Sequence, residues 1–428
     1  MLTNNRQRIV FLVILLTGIC AGYDLGVISG TLPLIKKEFH LDNLHLSNIA
    51  GIVFVGMLCT KLFSGFLMDF MGRRRMLSLG SLLFTIAMVN MAYSDDYMSL
   101  LLSRLFQGMS IGLLLTVIPV YVSETSLISL RGRAMGVFQI SLVFGIFFAN
   151  LIATMFAHKF GWRIIFLSVI PMSALLFMLS LITSKSPSWL NSIGKRDEAE
   201  TINNKLFGDM QLLSNVKHES SLGDFLIALK DKVNFGYLML ICALAMLNGL
   251  VGINMFISYG PTIFGQLMPD VSMSHAITYG TILTGVNLLA TLIGVMIVDS
   301  LGRRKLTILG LTISVLGTIV TVIGLINGHA YITLIAMLAV VFVGAFGPGV
   351  CIWLILSEIL PTKLRAFGMS MALVSKALLD SVFGSFFLVI AVGYGYQAIF
   401  AFMGCSMVMF IFLVYKFLPE MANKQLNE

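Results

Sequence analysis

The sequence predicts an all-α membrane protein in which twelve transmembrane helices form two six-helix, pseudo-symmetric halves. Three observations carry that prediction: a composition suited to lipid, twelve apolar runs of spanning length, and a pair of motifs that occurs twice. Of the 428 residues, 58% are hydrophobic and 11% charged, against roughly 25% charged in soluble domains. Mean hydropathy is +0.95. The cysteines, Cys20, Cys59, Cys242, Cys351 and Cys405, fall singly in apolar stretches, as packing residues do and disulfides or metal ligands do not. The tail ahead of the first apolar run is short for a cleavable targeting peptide, so that run is read as a retained span.

Runs of roughly 20 apolar residues cross the ~30 Å of hydrocarbon. They cover residues 9–35, 47–68, 76–93, 97–122, 133–157, 162–183, 236–264, 277–298, 306–327, 331–357, 366–392 and 396–418. Each is expected to be a helix, because a single segment in lipid satisfies its backbone only within itself. Basic residues orient the set. With the N-terminus in the cytoplasm, 21 of the 28 Lys and Arg lie on that side and 4 (Lys36, Lys37, Lys159, Arg163) lie outside. Both termini are therefore expected in the cytoplasm. Net charge +8 reflects topology, and no nucleic-acid partner is expected.

The repeat divides the chain. GFLMDFMGRRR (65–75) follows the second span and VDSLGRRK (298–305) the eighth. SETSLISLR (123–131) follows the fourth and SEILPTKLR (357–365) the tenth. The domain expectation is an N-terminal half 1–183, a cytoplasmic linker with short helices 184–235, and a C-terminal half 236–428. Parallel six-helix repeats are the plan of secondary transporters whose halves rock about a central site.

Along the chain stand GYDLGVISG, DFMGRRR, PVYVSE…RGR, GWR, SPSWL, GIN…YGP, DSLGRR and W…SEILP…R. In that order they resemble the major facilitator superfamily, and within it the sugar porter family, over essentially the whole length. The GYD in the first span is similar to bacterial proton–sugar symporters, whereas related uniporters carry a neutral residue there. The resemblance implies proton-coupled symport of a sugar or related small polyhydroxylated solute by alternating access, in a bacterial inner membrane. A facilitative uniporter, or an exporter or transporter of a charged solute, is the alternative.

Asp24 stands in an otherwise apolar run, and an ionised carboxylate in lipid needs a partner. At about 1.5 Å per residue it lies roughly 24 Å beyond Arg8, and Arg104 about 12 Å from Asp96, which brings the two to matching depth. The resemblance implies the same partnership, coupled to proton movement. Removing the cation would leave a dry carboxylate that is stable only when protonated. A purely structural ion pair is the plainer reading. Lys61 lies about 12 Å from Asp69, at a different depth, and is read as snorkelling to the interface.

The repeated charges Asp69/Arg73, Glu124, Arg131, Asp299/Arg303, Glu358 and Arg365 are read as cytoplasmic gates that pair across the halves, or more plainly as anchors of helix ends. For the solute, isolated amides offer directed hydrogen bonds without fixed charge. By the resemblance, Gln139, Asn254, Asn287 and Trp353 sit at sugar-binding positions. The family's paired glutamines before GIN are Asn248 and Gly249 here, and amide or aromatic positions in the eleventh span are Lys376, Ala377 and Asp380. A second family glutamine is Ile146, and one of two tyrosines is Ser258, leaving Tyr259. Lys376 and Asp380, four apart, share a helix face; they are read either as contacts to a charged or zwitterionic solute or as a self-contained pair. No phosphate-cradling G-x-x-x-x-G-K-[ST] stretch, metal-ligand spacing or nucleophile–base set occurs, so no enzyme, metal or cofactor is expected, only a proton gradient. The expected partners are a small solute, protons and the bilayer, and the expected state is a monomer.

Overall fold

Peptide groups in apolar runs have no partner but one another, and helix is the only extended regular structure among the described residues. The computed structural model describes residues 5–127, 130–207, 231–267, 272–359 and 362–418. The first half contributes α1 (Asn5–Glu38), α2 (Asn43–Met71), α3 (Arg73–Ala92), α4 (Tyr97–Thr125), α5 (Arg131–Phe160), α6 (Arg163–Ser168) and α7 (Ile170–Ile182). Two short helices follow, α8 (Pro187–Ser192) and α9 (Arg196–Phe207). The remainder contains α10 (Lys232–Leu250), α11 (Ile253–Leu267), α12 (Met273–Leu301), α13 (Arg303–Ile326), α14 (Ala330–Gly344), α15 (Val350–Ile359), α16 (Thr362–Tyr394) and α17 (Tyr396–Phe417). Twelve helical stretches among the described residues are long and apolar enough to cross a membrane.

Three of the runs expected to be single helices are interrupted, each for a local reason. The sixth is interrupted at Val169, between α6 and α7, with Pro171 in the first turn of α7, where its missing N–H costs nothing. In the seventh, α10 gives way to α11 at Gly252, whose φ of 84° is open to glycine and costly for other residues. Between α14 and α15 the tenth widens into a π turn over Ala345–Gly349 that contains Pro348; a proline cannot continue the regular ladder, and the wider turn absorbs it.

The chain forms two compact units, one of residues 1–27 with 52–219, the other of residues 28–51 with 220–428. In the first, α1 and α5 approach with almost no side chain between them. A methyl group on Gly22 would overlap the Leu142 carbonyl, and one on Gly26 would lie 2.5 Å from the Ile146 oxygen. Glycines spaced by four put a smooth face on a helix and let backbones touch, the usual device for helix association in lipid. The start of α4 is fixed by Asp96, which accepts from the Ser99 N–H at 2.6 Å. That backbone bond, with the Ser99 hydroxyl, holds the Asp96 carboxyl below the usual carboxylate range. In the second unit, the Leu388 N–H donates to Ser47 at 3.2 Å, so the start of α2 is tied to α16.

Candidate functional site

Asp24 and Arg104 meet inside the first unit. The Asp24 side chain is fully buried and that of Arg104 is 1% exposed, with Arg104 Nη1 3.3 Å from Asp24 Oδ1. The same Nη1 donates to Gln107 Oε1 at 2.5 Å, and Gln107 Nε2 faces Met88 Sδ at 3.6 Å. Asp24 Oδ2 is buried and accepts no hydrogen bond. One carboxylate oxygen thus engages the cation while the other is bare. Gln107, three residues beyond Arg104 on the same helix face, is a member of the cluster that the sequence reading did not pick out. Next to Asp24, the Tyr23 hydroxyl donates to the Ile165 carbonyl at 2.7 Å and contacts Ser168, which ties α1 to α6.

A second charged cluster lies at the α2–α3 turn. Arg73 pairs with Glu124 at 2.9 Å and with the more exposed Asp69 at 3.5 Å. The Trp189 indole N–H donates to the Asp69 carbonyl at 2.9 Å, and Tyr121 on α4 donates to the Ser184 carbonyl at 2.9 Å. Three of the gate candidates, Asp69, Arg73 and Glu124, therefore come together within the first unit. Arg131, the first residue of α5, forms no ion pair among the described residues. Arg303 is half-buried at the start of α13. The side chains of Asp299, Glu358 and Arg365 lie outside the described residues.

Polar groups of the second unit gather where α10 faces α16. Lys376 Nζ lies 2.6 Å from Asp380 Oδ2, with the two side chains 15% and 8% exposed. Gly249 makes room for them: a Cβ there would sit 2.6 Å from Asp380 Oδ1 and 3.5 Å from Lys376 Nζ. Its neighbour Asn248 donates to the Pro348 carbonyl in the π turn at 3.5 Å. Tyr259 is buried and donates to the Gly384 carbonyl at 2.7 Å. Asn254 is half-buried just after the break at Gly252, Asn287 is buried and Trp353 is 41% exposed. Gln139 belongs to the first unit, where it is half-buried on α5.

A family model described as "Sugar (and other) transporter" matches residues 10–428. The chain belongs to this family, the sugar porters of the major facilitator superfamily. Among its relatives, the glucose transporter of Staphylococcus epidermidis is 28% identical over 438 residues, covering 99% of this chain and 96% of that protein. The galactose-proton symporter of Escherichia coli K12 is 28% identical over 440 residues, covering 99% and 94%. Among solved structures, the partially occluded inward-open xylose transporter of E. coli superposes with a TM-score of 0.83 at 24% identity, covering 98% of this chain and 99% of that one.

As a sugar porter of the major facilitator fold, this multi-pass membrane transporter brings three of its departures from the family pattern into one place. Gly249, Lys376 and Asp380 were three separate departures in the sequence; in the structure they form one contact. The glycine vacates the volume that a glutamine would occupy, and the Asp380 carboxylate fills it. Spacing along the chain shows only the Lys376–Asp380 half of that arrangement, since Gly249 lies on a different helix.

Proposed function

We propose that this transporter couples the entry of a proton to that of a neutral sugar or related small polyhydroxylated solute, by alternating access. The observation that carries the reading is the asymmetric satisfaction of Asp24. Its Oδ1 faces Arg104 at 3.3 Å, and its buried Oδ2 accepts nothing. A proton can be added at Oδ2 without breaking a bond inside the protein. The guanidinium, no longer balanced, keeps Gln107 Oε1 as an acceptor. When the carboxylate is ionised, the pair is neutral as a whole and tolerates burial; when it is protonated, Arg104 is released to move. Two relatives, a galactose-proton symporter and an arabinose-proton symporter, support proton coupling.

Substrate contacts are assigned to Gln139, Asn248, Asn254, Asn287, Trp353, Lys376 and Asp380. The Lys376–Asp380 pair, closed on itself at 2.6 Å, offers no net charge and so favours a neutral solute over a sugar acid or an amino sugar. The gate comprises Asp69, Arg73, Glu124 and Arg131 with their counterparts Asp299, Arg303, Glu358 and Arg365. The transporter is placed in a bacterial inner membrane as a monomer with cytoplasmic termini, and it draws on the proton gradient without a cofactor.

The test is uptake into proteoliposomes under an imposed pH gradient, with Asp24→Asn beside the parent. The parent accumulates solute against its gradient; the variant retains solute exchange and loses accumulation. Undiminished accumulation by the variant would remove Asp24 from the coupling. A parent that equilibrates solute without responding to pH is a uniporter. A thermal-shift series of neutral sugars, polyols, sugar acids and amino sugars separates the neutral from the ionic solutes.

A further inference from the structure

A groove of about 700 Å³ lies beside the α2–α3 turn, bounded by the end of α7, by α8 and by the turn into α9. It belongs wholly to the first compact unit, and its size is within the roughly 300–1,000 Å³ of small-ligand sites. Its lining is cationic in part: Arg73, Arg74, Arg75, Lys185 and Lys195 contribute to it, and no carboxylate does. Much of the remaining lining is apolar and includes Leu79 and Leu82 of α3 with Phe177 and Leu181 of α7. Leu79, Leu82 and Leu181 are 40%, 39% and 45% exposed.

Part of that positive charge is already balanced. Arg73 faces Glu124 and Asp69, and Lys185 binds Glu198 at 2.6 Å. The Lys185 bond, with Lys195 nearby, holds the Glu198 carboxyl below its usual range. Arg74 and Arg75 form no ion pair among the described residues. They open α3 behind Gly72, a cap without a side-chain hydrogen bond, so the first N–H groups of the helix add positive potential. From this end α3 runs into the apolar region, and Leu82 lies roughly 10 Å along it from Arg75.

Guanidiniums seek phosphate oxygens in forked pairs, and basic pockets at membrane-facing helix ends suit anionic lipid headgroups. A free anion would use only the cationic part of the lining; the leucines continue the groove along the path of an acyl chain. We propose that this groove binds an anionic phospholipid, with its phosphate at Arg74, Arg75 and Lys195 and one acyl chain against Leu79, Leu82 and Leu181. The zwitterionic headgroup of phosphatidylethanolamine carries its own cation and is the weaker ligand. Arg74, Arg75 and Lys195 belong neither to the proposed coupling pair nor to the proposed solute contacts.

The experiment is native mass spectrometry of the full-length transporter titrated with phosphatidylglycerol or with phosphatidylethanolamine of matched chains. At roughly fivefold per cation near a membrane surface, Arg75→Gln weakens retention of phosphatidylglycerol about fivefold. By the same rule, Arg74→Gln/Arg75→Gln/Lys195→Gln weakens it roughly a hundredfold. A control lacking three cations outside the groove, Arg6→Gln/Arg8→Gln/Arg133→Gln, retains it. Equal losses in groove and control variants would reduce the effect to general surface charge and overturn the site. So would equal retention of the two lipids by the parent. Inorganic phosphate that raises the melting temperature as much as phosphatidylglycerol would replace the lipid by a free anion. Arg75 is exposed, so Arg75→Gln decides the matter if the triple variant does not fold, as judged by its melting temperature in detergent.

Discussion

Separating Asp24 from Arg104 gives the most direct measure of the proposed coupling pair. At 3.3 Å, two unit charges attract by about 5 kcal/mol for an effective dielectric near 20, and the cost of drying both offsets much of that. Arg104→Gln leaves the fully buried Asp24 carboxylate without its cation, a loss of about 3–5 kcal/mol. Asp24→Asn leaves Arg104 bound to Gln107, so its cost is smaller, about 1–3 kcal/mol. Asp24→Asn/Arg104→Gln removes both charges together and is expected to cost about 2–3 kcal/mol less than the sum of the single variants. Reversible unfolding in mixed detergent micelles, with denaturing detergent as the titrant, supplies the four free energies. Additivity to within about 0.5 kcal/mol would mean that the two side chains do not interact, and the energetic basis for proton coupling would fall with it. Uptake adds a second readout: the double variant exchanges solute and never concentrates it.

Gly26→Ala puts a Cβ 2.5 Å from the Ile146 oxygen; α1 and α5 must separate, at about 1–3 kcal/mol for overpacking, and a melting temperature equal to that of the parent would deny their contact. Lys376→Gln leaves Asp380, 8% exposed, without its cation and is expected to change the order of preferred solutes in competition uptake. If only stability falls, the pair is structural. Asp96 has a folded-state carboxyl held below its ordinary value by Ser99. Its cap is therefore fully effective above about pH 4 and is lost as pH falls through the folded value. The melting-temperature gap between the parent and Asp96→Ala should close on acidification, and a gap that is constant with pH would refute the cap.

Much of the architecture is legible without coordinates because lipid imposes one rule on every span. A run of twenty apolar residues must hide its own backbone, so helix count follows from hydropathy. Rare charges inside such runs must find each other, and rise per residue then suffices to match Asp24 with Arg104. What averages hide is local. Residues 236–264 are apolar throughout, and the break within them rests on one glycine, Gly252, whose positive φ leaves no mark in composition. The π turn after α14 was foreshadowed only by Gly344, Gly347, Pro348 and Gly349 in close succession. Contacts between helices are harder still. Gln107 looks like any isolated amide until Arg104 is seen to donate to it, and Gly249 looks like a lost glutamine until Asp380 is found in its place. Residues 28–51 cluster with the second unit, an affiliation that chain order does not suggest.

The interruption at Gly252 has a consequence for attempts to redirect this protein to other cargo. Where α10 ends at Leu250 and α11 resumes at Ile253, the main chain spans the break with its own bonds, the Val251 N–H on the Leu247 carbonyl, the Gly252 N–H on that of Gly249 and the Phe256 N–H on that of Gly252. Such groups are main-chain atoms, held in common by every variant. Replacing Asn248 and Asn254 strips away two amides yet leaves those peptide dipoles where they are. Retailoring of side chains alone therefore leaves the break, and the main-chain geometry it imposes on both half-helices, unchanged.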